Sequence, residues 1–96
     1  MIQGFAEKKT EAFASGVDVP AFRSFADQAH KRLLILDAAT SVSDLRALPS
    51  NRIEALRGKR KGQWSIRINS KWRVCFIWNV DSSGPTEVEI VDYHDE

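Results

Sequence analysis

Ninety-six residues, 43% hydrophobic and 28% charged, suit one domain built on one core. No apolar run approaches the ~20 residues of a bilayer-spanning helix, and a single cysteine, Cys75, excludes disulfide and cysteine-based zinc frameworks. The net charge of +1 hides a segregation: residues 52–73 hold eight bases against Glu54 alone, a net +7, while residues 74–96 hold six acids and no Lys or Arg, so the middle of the chain is an electrostatic footprint for a polyanion.

The opening residues 1–5 are apolar enough for an edge strand, and the lack of a basic-then-apolar order argues against a signal peptide. Residues 6–15 predict a short helix stopped at Gly16. Behind Pro20, apolar residues recur at 22, 25, 26, 29, 33 and 36, one face of an amphipathic helix over 21–39. Ser43 suits the cap of a further turn that ends before Pro49.

Beyond Pro49 the period becomes two. Trp64, Ile66 and Ile68 alternate with Ser65, Arg67 and Asn69. Trp72, Val74, Phe76 and Trp78 alternate with Arg73, Cys75, Ile77 and Asn79, and Val88 and Ile90 alternate with Glu87 and Glu89. Alternation of β-branched and aromatic residues is a strand signature. Asn69-Ser70-Lys71 fits a tight hairpin, and residues 81–85 form a turn-rich loop. The expected architecture is α+β: an N-terminal strand, two helices, then a three-strand meander, in a single domain over 1–96. With the tryptophans turned towards the helices, Arg67 and Arg73 stand on the opposite face. There they form a concave basic surface that ends in Asp92-Tyr93-His94.

Most chemistries fail on residue types. His30, His94 and Cys75 offer no recurring metal-ligand spacing, so neither metal nor other cofactor is expected. A Cys75–His94 nucleophilic pair is conceivable, but a cysteine among Val, Phe and Ile reads as a packing residue. Gly58 and Gly62 bracket three bases without the following helix of a phosphate-cradling loop. What remains is a basic stretch beside Asp92, Tyr93 and His94, and those groups suit RNA cleavage without metal. A base takes the 2′-OH proton, cations stabilise the phosphorane, and an acid protonates the 5′-oxygen. His94 suits either proton transfer, Tyr93 and Asp92 could orient it, and Arg57 and Arg73 supply charge. A polar C-terminus with a solvated histidine is the plain alternative.

The segments Asp37-Ala-Ala-Thr40, Asp44-Leu-Arg46, Asn51-Arg-Ile-Glu-Ala-Leu56 with Gly58, GQWSIRIN over 62–69, KWRVCFIW over 71–78 and VEIVDYH over 88–94 add a family signal. In this order they resemble the HigB-type toxins of the RelE/ParE toxin superfamily. The resemblance implies a compact α+β toxin of a type II toxin–antitoxin system, a ribosome-dependent mRNA endoribonuclease of the bacterial cytoplasm. It places the family's site on Asp92, Tyr93, His94, Arg57 and Arg73. Where some nuclease members carry a histidine, this chain has Glu54, which leaves the general base open between that carboxylate, His94 and Tyr93. Arg52, Lys59, Arg60, Lys61, Arg67 and Lys71 are then the RNA-binding cations. The implied partners are a HigA-type helix-turn-helix antitoxin, through which the complex binds operator DNA, and the ribosome with its mRNA. A non-catalytic inhibitor on the same scaffold, directed at ribosome or gyrase, and a basic binding module without toxicity are the competing readings.

Overall fold

A computed structural model describes residues 1–92. The chain runs through α1 (Lys8–Ala14), a 3-10 turn (Pro20–Phe25) leading into α2 (Ala26–Ala38), and α3 (Val42–Arg46). After a second 3-10 turn (Pro49–Asn51) come β1 (Glu54–Ala55), a third 3-10 turn (Gly58–Arg60), β2 (Trp64–Arg67), β3 (Trp72–Ile77) and β4 (Thr86–Asp92). The four strands form one antiparallel sheet in the order β1-β2-β3-β4.

The expected long helix is two pieces. Pro20 opens the 3-10 turn, and Ala26 begins the α-helix. The apolar face is nevertheless continuous: Phe22, Phe25, Ala29, Leu33 and Leu36 are all buried. They meet Ile66, Ile68, Val74, Phe76, Val88 and Ile90 from the sheet. Trp64, Trp72 and Trp78 flank that core half-buried, and Trp72 stacks on Phe25 at 4.8 Å between ring centroids. The tryptophans are thus wedges between layers, as their alternation indicated. His30 stacks on Phe13 at 4.0 Å.

The N-terminal strand is not formed. Residues 3–6 do run beside β4, with Gln3 N donating to Pro85 O at 2.8 Å, Val88 N to Gly4 O at 3.2 Å and Ala6 N to Val88 O at 3.0 Å. Only one bridge results, Phe5 with Val88, parallel. Two features cut the ladder short. The β3–β4 register slips between Cys75 and Ile77, and Glu87 takes the left-handed conformation at φ 52°, as in a bulge that bends β4. The next edge amide, Ile90 N, is taken by the buried Thr10 hydroxyl at 3.1 Å.

The sheet gains its fourth strand at the other edge instead. β1 pairs Glu54 with Ser65 and Ala55 with Trp64. Two exposed residues carry no alternation signal, which is why the sequence pattern is silent there. The cap of α3 is Ser41, not Ser43, because Ser41 Oγ accepts from Asp44 N at 3.3 Å. Asp44 Oδ2 returns the contact by accepting from Thr40 N at 2.8 Å and Thr40 Oγ1 at 2.7 Å, a near relative of the capping box.

Candidate active site

The face of the sheet turned away from the helices is organised in rows by strand register. Glu54, Ser65, Cys75 and Glu89 are successive cross-strand partners, and so are Arg67, Arg73 and Val91. Directly paired residues share a face, so the first row carries the carboxylates of the two outer strands and the second carries two arginines.

Placement of β1 begins far from the site. Asn51 is fully buried, and its side-chain amide donates to Leu45 O at 3.0 Å while its carbonyl accepts from Arg32 Nη1 at 2.8 Å. This ties the turn at Pro49 to α2 and α3. Arg52 follows in the left-handed region at φ 44° and ψ 51°, which reverses the chain towards the sheet. Its carbonyl accepts from Arg73 Nη2 at 2.6 Å, and Arg73 Nε donates to Ser65 Oγ at 2.7 Å. Arg73, only 8% exposed, therefore pins the start of β1 onto β2 and β3.

Above this bed stands the loop that joins β1 to β2. Glu54, Ala55, Leu56, Arg57, Gly58, Lys59 and Arg60 line a groove of about 860 Å³. Cys75 and Val91 form its floor. Gly58 sits at φ 63°, a turn geometry that favours glycine, and so the four bases after Leu56, from Arg57 to Lys61, are thrown around a single 3-10 turn. Glu54 and Arg57 are exposed on the lip of the groove.

The candidate residues separate accordingly. Glu54, Arg57, Lys59 and Arg60 come together around one groove, with Arg73 beside its floor. Arg52, Lys59 and Lys61 are exposed, while Arg67 is half-buried opposite Arg73. Arg60 is not a plain solvent-facing cation, because its Nη1 reaches Glu89 Oε1 at 3.3 Å. Asp92 does not end the basic face. It pairs with Trp72, hence shares the helix-side face, and its Oδ2 lies 3.3 Å from Lys71 Nζ. One residue of register along β4 makes that difference. Tyr93 and His94 lie outside the described residues.

Ser65, Asn51 and Glu89 are the participants that sequence reasoning passed over. Ser65 stands in a strand alternation that marks its face, yet nothing there marks it as an arginine's acceptor. Among the described residues no group of three His, Cys, Asp or Glu could hold a metal ion, and no helix is long and apolar enough to cross a membrane.

Known proteins share both the sequence and the shape. The family described as RelE-like toxin of type II toxin-antitoxin system HigB matches residues 5–95. Endoribonuclease HigB of Proteus vulgaris is 31% identical over 77 residues, 79% of this chain and 83% of that protein. Toxin HigB-1 of Vibrio cholerae serotype O1 is 52% identical over 48 residues, and that match spans half of each chain. A mutant of YafQ from E. coli, 11% identical, has the same fold with a TM-score of 0.57 over 99% of this chain and 94% of its own. The chain belongs to the HigB family of RelE-like toxins of type II toxin–antitoxin systems, which implies a cognate antitoxin.

Proposed function

We propose that this HigB-type endoribonuclease cuts messenger RNA held in the decoding site of the ribosome, by metal-free attack of a 2′-OH on the adjacent phosphodiester. The observation that carries the reading is the groove itself. A carboxylate, Glu54, and the cations Arg57, Lys59 and Arg60 converge on one cleft beside the anchored Arg73. A proton acceptor and positive charge are the two things that a phosphoryl transfer through the 2′-OH requires of its surroundings.

In this scheme the 2′-oxygen bonds to phosphorus as its proton passes to Glu54. Arg57 and Arg73 stabilise the phosphorane, and the bond to the 5′-oxygen breaks as His94 protonates it. The products are a 2′,3′-cyclic phosphate and a 5′-OH. Tyr93 orients the reacting groups, and Asp92, braced by Lys71 on the helix side, holds the end of β4. Binding to ribosomal RNA draws on Arg52, Lys59, Lys61, Arg67 and Lys71, and the ribosome orders the message for in-line attack. The proposed partner in restraint is a HigA-type helix-turn-helix antitoxin whose complex with the toxin binds operator DNA, and the proposed place of action is the bacterial cytoplasm.

Inducible expression with mapping of mRNA 5′ ends tests the reading, comparing wild type with His94→Ala and Glu54→Gln and with antitoxin co-expression. New 5′ ends within translated frames, lost in His94→Ala and on antitoxin co-expression, are expected. Growth arrest of equal depth in all variants without new 5′ ends would make the chain a non-catalytic inhibitor.

A further inference from the structure

The loop that walls the groove is closed upon itself. Leu56 N donates to Gln63 O at 2.9 Å, Arg60 N to Arg57 O at 3.2 Å, Lys61 N to Gly58 O at 3.1 Å and Gln63 N to Arg60 O at 2.9 Å. Every one of these bonds joins residues within 56–63, so none of them fixes the height of the loop above the sheet. That height sets the width of the groove.

Arg60 reaches out of the loop. Its Nη1 donates to Gln63 Oε1 at 3.1 Å and to Glu89 Oε1 at 3.3 Å, across 29 positions of sequence. Glu89 belongs to β4 and is the cross-strand partner of Cys75, on the groove floor. Neighbouring strands lie ~4.8 Å apart, so a loop hung between β1 and β2 is tied to a strand two places further on, across β3. The side chains of Arg60 and Glu89 are 18% and 26% exposed. Arg23–Asp18, by contrast, is 64% and 65% exposed. A partly covered pair is screened by salt far less than an open one.

We infer that the Arg60–Glu89 ion pair is a strap that sets the catalytic groove, and that Glu89 is a positioning residue of the nuclease. This rests on the endoribonuclease reading above. Glu89 acts through Arg60, and Arg60 holds Arg57 and Lys59 at a fixed distance over Cys75 and Val91. The pairing turns Arg60 from an RNA contact into a structural cation. It also gives the carboxylate of the outer strand β4 a role on a face that is otherwise rich in bases. Displacing a charge-bearing loop by ~1 Å is enough to lower a rate by up to about 10²-fold.

The experiment is single-turnover cleavage of a message on programmed ribosomes by wild type, Glu89→Gln, Arg60→Gln, the double neutral variant and the reversed pair Arg60→Glu with Glu89→Arg. Glu89→Asp serves as a milder second variant, and thermal unfolding confirms that each is folded. Each neutral variant is expected to lower the saturating rate about tenfold or more, with the half-saturating ribosome concentration within about twofold of wild type. The double variant is expected to be no slower than the worse single, and the reversed pair to recover a large part of the loss. Losses that multiply in the double variant would overturn the strap, as would Arg60→Gln raising the half-saturating concentration with an unchanged rate. A second arm reads the loop without activity: in the isolated protein, Glu89→Gln is expected to speed amide exchange at Lys61 and Gln63 by roughly fivefold or more. Unchanged exchange there would contradict the strap even if wild type cut no message, a result that would separately remove the nuclease reading.

Discussion

Arg73 shows how one side chain serves the fold and the site together. Its fork joins Ser65 Oγ and the Arg52 carbonyl, and a lysine keeps the charge but cannot bridge both acceptors. Hydrogen bonds from a charged donor are each worth about 1.5–3 kcal/mol, so Arg73→Lys is expected to destabilise by about 2 kcal/mol in urea unfolding. Cleavage is expected to fall further than ribosome binding does. Unchanged stability would mean that the anchor is dispensable and that the arginine acts through charge alone. Period-two alternation makes the face of Arg73 legible in the sequence, but what it holds is not. Its acceptors are a serine and a backbone carbonyl, neither of which leaves a pattern. Asp92 is the converse case: its family position is legible, and its side follows only from its register opposite Trp72.

At the scale of elements, short-range signals and long-range pairing diverge. The helices and the three-strand meander follow from local periodicity. The N-terminal strand fails and β1 appears because both depend on how edges pair, which no local pattern encodes. The edge contact of residues 1–6 has a test. Gly84 is buried, and a Cβ placed there would overlap the Met1 carbonyl. Gly84→Ala is therefore expected to release this segment from β4, seen as faster amide exchange at Ala6 and Val88 and a lowered Tm. Protection equal to wild type would show that the segment holds by its side chains alone.

The cap of α3 gives a pH dependence at the same scale. Hydrogen bonding from the Thr40 side chain first and the Thr40 amide second holds the Asp44 carboxyl below its ordinary value, against a smaller opposing effect of burial and with a still smaller contribution from the Ser41 amide. A carboxyl lowered in the folded state contributes stability above its unfolded pKa of ~3.9, and that contribution is lost as pH falls through the folded value. Wild type is expected to lose stability below about pH 4 more steeply than Asp44→Asn, read from Tm against pH. Ser41→Ala is expected to cost about 1 kcal/mol at neutral pH.

Across the whole molecule, the helices cover one face of the sheet, and the other carries the groove bases Arg57, Lys59 and Arg60 and the paired Arg67 and Arg73. Net charge conceals this polarity, whereas its distribution along the chain reveals it. If the exposed bases meet phosphates, the logarithm of ribosome affinity falls with the logarithm of salt by roughly 0.7–0.9 per phosphate neutralised. Lys59→Glu with Lys61→Glu is expected to flatten that slope, and an unchanged slope would mark a merely solvated face. The central claim is that this groove cuts ribosome-bound message through the 2′-OH, and the end chemistry of the cleaved message tests it most directly. A single-turnover reaction on programmed ribosomes is expected to leave a 2′,3′-cyclic phosphate upstream and a 5′-OH downstream, with His94→Ala slowing the step by about 10²–10⁴-fold. A 3′-OH at the cut, or full activity in His94→Ala, would contradict it.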